Sequence, residues 1–149
     1  MPKIDLAAIP EIRTTRYPPP YDREVRGRNW RPLNQPGGLS DFLANHVTME
    51  PGAWSSQRHW HEGEDEFLVM VPGEAVLVDD FGRTPIRAGD CAVFPKGDGN
   101  GHCLINEGNT PCVFVVMGLP AKTDCHYPDI DLHVDGSAQQ YTHKDGTAY

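Results

Sequence analysis

Two histidines separated by one residue, His59 and His61, are the residues of this chain best placed by type and spacing to do chemistry. Side chains alternate between faces along a β-strand, so both imidazoles would project to one side and could converge on one point. Glu66 follows five residues after His61 and would face the other way if the strand simply continued. Glu62-Gly63 can turn the chain between them, and an adjacent strand could then return Glu66 to the same cavity. His102, beyond a glycine-rich loop, could supply a third imidazole from across the sheet. Three neutral imidazoles and a carboxylate suit one divalent transition metal: iron, manganese, nickel, cobalt or zinc. A histidine on a strand is also commonly just a packed residue, so the frame around the pair matters.

That frame reads as β structure. Segments 39–49, 53–61, 66–71, 75–80, 91–94, 102–106 and 112–117 have strand length and composition. Turn signals stand between them at short spacing, among them Pro72-Gly73, Phe81-Gly82, Ala88-Gly89 and Pro95-Lys96-Gly97. Such a series predicts an antiparallel sandwich or barrel. Residues 1–38, rich in proline and arginine, read as an extended arm, 39–120 as the barrel, and 121–149 as a tail packing on it, all within one domain.

The 149 residues carry a formal charge of -8, which disfavours nucleic acid and anionic membranes as partners and favours a small-molecule substrate. Cys91, Cys103, Cys112 and Cys125 form no CxxC pair and are expected to be reduced thiols in a cytoplasmic protein. The first ten residues do not read as a secretory signal, and no apolar run is long enough to span a bilayer.

Segment 52–73 resembles the first motif of the cupin superfamily through Gly52, His59, His61, Glu66 and Gly73, and segment 89–106 resembles the second through Gly89, Pro95, Gly97, His102 and Asn106. The four residues Asp98-Gly99-Asn100-Gly101 before His102 exceed the family's usual two, and the glycines are expected to absorb the extra length. The resemblance implies an all-β double-stranded β-helix, or jelly-roll barrel, with His59, His61, Glu66 and His102 as inward-pointing metal ligands. Pro51-Gly52-Ala53-Trp54-Ser55-Ser56, Glu64-Asp65-Glu66-Phe67 and Tyr127-Pro128-Asp129-Ile130-Asp131-Leu132 are similar to a narrower group of small bacterial single-domain cupins, some described as sugar-phosphate isomerases.

Around this set, Gln57 shares the parity of His59 and His61 and could line the cavity, while Arg58 and Trp60 should face away. Glu64 and Asp65 could orient a histidine but read more simply as a solvated turn. Lys96 reads as an exposed turn lysine; Tyr127, Asp129 and Asp131 could offer an acid or base if the tail covers the pocket. His46, His126, His133 and His143 lack a ligand-like frame.

The leading functional expectation is a metal-dependent enzyme on a small oxygen-rich compound, sugar-phosphate isomerase-like, with no catalytic base singled out by the sequence. An iron-dependent dioxygenase and a non-enzymatic small-ligand binder or sensor are the alternatives. A homodimer exchanging its arms is the expected assembly.

Overall fold

The computed structural model describes residues 3–120 and 122–149. Met1 and Pro2 of the expected arm and Ala121 of the expected tail lie outside the described residues. In chain order the elements are β1 (Arg28–Pro32), a single helical turn α1 (Asn34–Gly37), β2 (Leu43–Met49), β3 (Trp60–His61), β4 (Glu66–Met70), β5 (Glu74–Asp79), β6 (Gly82–Arg87), β7 (Cys91–Phe94), β8 (Cys103–Ile105), β9 (Cys112–Gly118), β10 (Cys125–His126), β11 (His133–Asp135) and β12 (Gln140–Thr142). The expected all-β class is observed, with ladders in three sheets rather than one closed ring: β1-β2-β9-β4-β7, β6-β5-β8 and β12-β11-β10-β3.

Period-two alternation decides which faces meet. Val47 and Met49 of β2, Leu68 and Met70 of β4, and Cys112 and Phe114 of β9 turn inward and join Leu104 of β8 and Ile86 of β6 in one core. Burying each larger side chain contributes about 1.5–3 kcal/mol. Gly73 shows how tightly the strand ends close: at φ +89, an added Cβ would stand 2.7 Å from Cys112 Cβ and 2.8 Å from its Cα.

The structure redraws three boundaries. Segment 53–61 is not one strand, because Leu104 N donates to the Ser55 hydroxyl at 2.8 Å where a continuous ladder would use backbone. Only the bridges Trp54↔Ile105 and His59↔His102 and the short β3 remain of it. Residues 28–32, expected in the arm, form β1, which pairs with β2 along its whole length from Arg28↔Met49 to Pro32↔Asn45. Its proline sits at the end of an edge strand, where a missing N–H costs little. Segment 82–87, for which the sequence predicts no strand, is the exposed edge strand β6.

The tail adds a second, smaller core. Cys125, Tyr127 and Leu132 are buried, and Tyr17 and Tyr21 of the arm pack against them with Val134 and Tyr141. Arm and tail therefore close over the same end of the molecule, beside β3. All four cysteines are free thiols. Among the described residues no helix is long and apolar enough to cross a membrane.

Candidate metal centre

His59 and His102 are set opposite each other by their own backbones: His59 N donates to His102 O at 3.1 Å, and His102 N donates to His59 O at 2.9 Å. Glu66 opens β4, held between Phe94 of β7 and Gly118 of β9. His61 lies on β3 opposite Cys125 of β10. Two sheets, through Glu66 and His61, and the isolated bridge between His59 and His102 thus each deliver part of one cluster, with Glu66 on the side of the histidines after the Glu62-Gly63 turn.

Two overlapping ligand groups result, sharing His59. His59, Glu66 and His102 form one and His59, His61 and Cys125 the other, with ligand atoms inside each group all within 4.8 Å of one another. His102 Nε2 stands 2.9 Å from Glu66 Oε2, His59 Nε2 3.1 Å from His61 Nε2, and His61 Nε2 3.6 Å from Glu66 Oε2. Phe94 stacks flat on the His102 ring at 3.6 Å between centroids, fixing its plane. The lengthened loop before His102 is accommodated with Gly97 and Gly99 at positive φ.

Electrostatics favour neutral imidazoles beside a charged carboxylate. Burial, reinforced by His102, pushes His59 down to about 3, and burial also lowers His61. Burial works against the Glu66 charge, but its His102 hydrogen bond and the neighbouring imidazoles outweigh it and hold the carboxyl below its ordinary range. Neutral nitrogen and ionised oxygen are the forms a divalent cation takes, so the residues present fit such a group. Cys125 differs: burial pushes its thiol up to about 12, leaving it protonated at neutral pH.

The outer residues are less as expected. Glu64 is not a solvated turn residue; it is buried, with Oε1 3.6 Å from His61 Nδ1, and burial followed by the Glu66 charge lifts it to about 7. Asp65 is the solvated partner of the pair and accepts from Lys96 N at 2.9 Å. Gln57 does not line the cavity: its amide nitrogen donates to Tyr21 O at 2.9 Å and Glu24 Oε2 at 3.0 Å, fastening the arm. Its side chain is buried against the arm, while its main-chain oxygen stays on His59 Nδ1 at 2.9 Å.

Arg58 and Trp60 face away. Arg58 grips Asp129 through two hydrogen bonds of 2.6 and 2.7 Å and also meets Asp80, and Trp60 stacks on His126 at 4.3 Å. Asp131 accepts from His143 Nδ1 at 2.7 Å and from Lys144 N at 2.9 Å, so neither aspartate of the tail faces the cluster. His126 pairs with Glu62 and His133 with Asp124. His46 sits on β2, paired across the ladders with Arg31 and Val115.

A cavity of 310 Å³ opens on His59, Glu66 and His102. Its remaining wall mixes apolar core side chains, such as Leu68 and Phe114, with Ser56, Asn45, Tyr17, Tyr141 and Arg28. Burial raises both tyrosines above the ordinary phenol value, so they remain protonated donors. Tyr17, Arg28 and Tyr141 were not legible as site residues: they lie in the arm and tail, far in sequence from the histidines, and no motif marks them.

An open cavity between β sheets, with imidazoles and a carboxylate on its wall, marks a small all-β protein with a candidate metal site, and comparison with known proteins gives its family. The family model described as Cupin domain matches residues 45–118. A sugar phosphate isomerase from a cupin superfamily of Silicibacter pomeroyi is 41% identical, with a TM-score of 0.92 over 99% of this chain and 96% of that one. The chain belongs to the cupin superfamily. It is also 36% identical over 71 residues to an oxalate-binding protein of Thermotoga maritima, a match spanning 48% of this chain and 56% of that protein's length. A predicted oxalate decarboxylase of the same organism shares 25% identity and a TM-score of 0.64 over 78% of this chain and 97% of its own.

Proposed function

We propose that the protein is a metal-dependent enzyme acting on a small oxygen-rich compound, with isomerase-like chemistry, and that His59, His61, Glu66 and His102 hold one divalent transition metal. The observation that carries this reading is the grouping of His59, Glu66 and His102 at the wall of a 310 Å³ cavity, with His61 Nε2 behind them at 3.1 Å from His59 Nε2 and 3.6 Å from Glu66 Oε2. A bound divalent metal would supply Lewis-acid polarisation of a substrate carbonyl. Tyr17 and Tyr141 line the cavity and stay protonated, so their hydroxyls can donate to substrate oxygens and would not act as bases. Leu68, Phe94 and Phe114 exclude water from the inner wall. The likeness to a sugar phosphate isomerase supports the isomerase reading.

A second reading, a non-enzymatic binder of small carboxylates, is favoured by the likeness to an oxalate-binding protein. An iron-dependent dioxygenase would use the same four ligands. We further infer a cytoplasmic protein, from four free thiols, and a homodimer. The arm packs on its own chain, so the dimer contact falls instead on the edge of β7, where Val93 is 68% exposed beside Phe42 and Leu119.

The deciding experiment is metal analysis of protein purified without oxygen or a chelating tag, beside a variant carrying His59→Ala and His61→Ala. Near-stoichiometric metal in the parent and little in the variant is expected; iron would raise the dioxygenase, zinc or manganese the isomerase. No metal in either, even after reconstitution, would leave the carboxylate binder as the surviving reading.

A further inference from the structure

The arm carries several arginines, and among the described residues two of them, the exposed Arg23 and the half-buried Arg28, have no side-chain partner. Arg13 and Arg31 pair with Glu11, and Arg26 with Asp22. Arg16 donates to Gln139 O at 2.6 Å. Arg28 makes neither a side-chain hydrogen bond nor an ion pair among the described residues, although its Nε is wholly shielded from solvent. A shielded Nε–H without an acceptor is costly, because it loses water and gains nothing in return. A ligand group that accepts from it is one way such a donor is satisfied.

Its position says which ligand. Arg28 and Trp30 stand two apart on β1 and share the face that lines the cavity, together with His59, Glu66 and His102. Arg31, one residue out of phase with Trp30, points away to Ile9 O and Glu11. Burial lowers the Arg28 pKa, with Tyr17, Tyr141 and Glu66 opposing, yet a guanidinium keeps its proton at any physiological pH. Five donors in a planar fork match the paired oxygens of a carboxylate or phosphate.

We propose that Arg28 is the anion-recognition residue of the cavity, and that the substrate carries a carboxylate or phosphate group which the Arg28 guanidinium binds while the rest of the molecule reaches the His59, Glu66 and His102 wall. The assignment deepens the enzymatic reading above and rests on it for the word substrate; the anion site itself does not need the metal. Tyr17 and Tyr141 flank the same volume and can donate to the remaining anion oxygens. An amine offers the guanidinium no acceptor pair, and a neutral sugar could accept from it without balancing its charge, so an anion is the best match.

The test is calorimetric titration of inorganic phosphate and of oxalate into the full chain at low chloride, in chelator-treated and zinc-reconstituted forms, for the parent, Arg28→Met and Arg28→Lys. One equivalent of at least one anion is expected to bind the parent in both forms, at least tenfold more weakly to Arg28→Met, and with intermediate strength to Arg28→Lys. The preferred anion tells a phosphate ester from a carboxylate. Metal content and the unfolding temperature of chelator-treated Arg28→Met should not fall below the parent's, since no native partner is lost; a merely structural arginine would lower the latter. In the parent, the Arg28 Nε–H resonance should shift on anion addition, a readout that needs no variant to fold. Equal anion affinity in parent and Arg28→Met, or a chelator-treated parent that binds neither anion and shows no Nε–H shift, would overturn the proposal. Failure to retain zinc would count against the metal reading alone, because the chelator-treated titration still decides Arg28.

Discussion

His59 Nδ1 lies 2.9 Å from the main-chain oxygen of Gln57. A carbonyl only accepts, so the proton of the neutral imidazole sits on Nδ1, and the Nε2 lone pair is directed at the cluster. The His59 imidazole is therefore oriented by its own chain two residues earlier, and no second side chain is needed. Neutrality of this ring is part of the folded state, which makes stability depend on pH.

In the chelator-treated protein, the folded value of His59 is about 3 against an ordinary 6.5. Between those values the unfolded chain binds a proton that the folded chain does not, so stability is fully present above 6.5 and is lost as pH falls towards 3. From pH 7 to pH 5 His59 contributes a loss of up to about 2 kcal/mol. Urea unfolding at the two pH values measures it, and His59→Gln should show a smaller drop. Identical drops in parent and variant would refute the assignment.

Glu64 should tune the metal through His61. Its carboxylate, 3.6 Å from His61 Nδ1, faces the proton that His61 must carry there when Nε2 is used as a ligand. Glu64→Gln is expected to weaken metal binding by about tenfold in competition with a chelator. Its folded value, about 7, lies above the ordinary 4.5, so the folded chain holds the extra proton, and stability present below 4.5 is lost as pH rises through 7. At pH 8 the chelator-treated Glu64→Gln protein should therefore be more stable than the parent, as a thermal melt would show.

Gly101 links the loop before His102 to the tail. A Cβ there would stand 2.8 Å from Pro128 Cγ, and a proline ring cannot swing aside. Gly101→Ala should cost about 1–3 kcal/mol, as overpacking does. The companion readout is metal affinity, which should fall because His102 is the next residue; unchanged melting and affinity would show that the tail yields freely.

The β7 edge should govern assembly. Val93→Lys places a charge on the exposed apolar patch and is expected to convert a dimer to a monomer by light scattering without loss of metal. A dimer that survives the substitution has its contact elsewhere.

Much of the centre was legible in the sequence because its signals are local. Two-residue spacing brings His59 and His61 to one side, and short turns between alternating segments announce an all-β chain. Glu66 and His102 could be nominated from the turns before them, and their frame's resemblance to a family strengthened that nomination. What the sequence could not reveal is non-local. The parity rule sent Gln57 towards the cavity, but it holds only in a regular strand, and the Ser55 hydroxyl breaks the ladder there. Composition sent Glu64 to solvent, while packing buries it under the cluster. The arm read as a covering segment because proline and arginine dominate it. Tertiary structure made part of it β1 and brought Arg28, Tyr17 and Tyr141 to one cavity from both ends of the chain. Spacing along a strand is set by covalent geometry and travels with the sequence, whereas the pairing of distant segments depends on which apolar faces bury each other, and only the folded chain decides that.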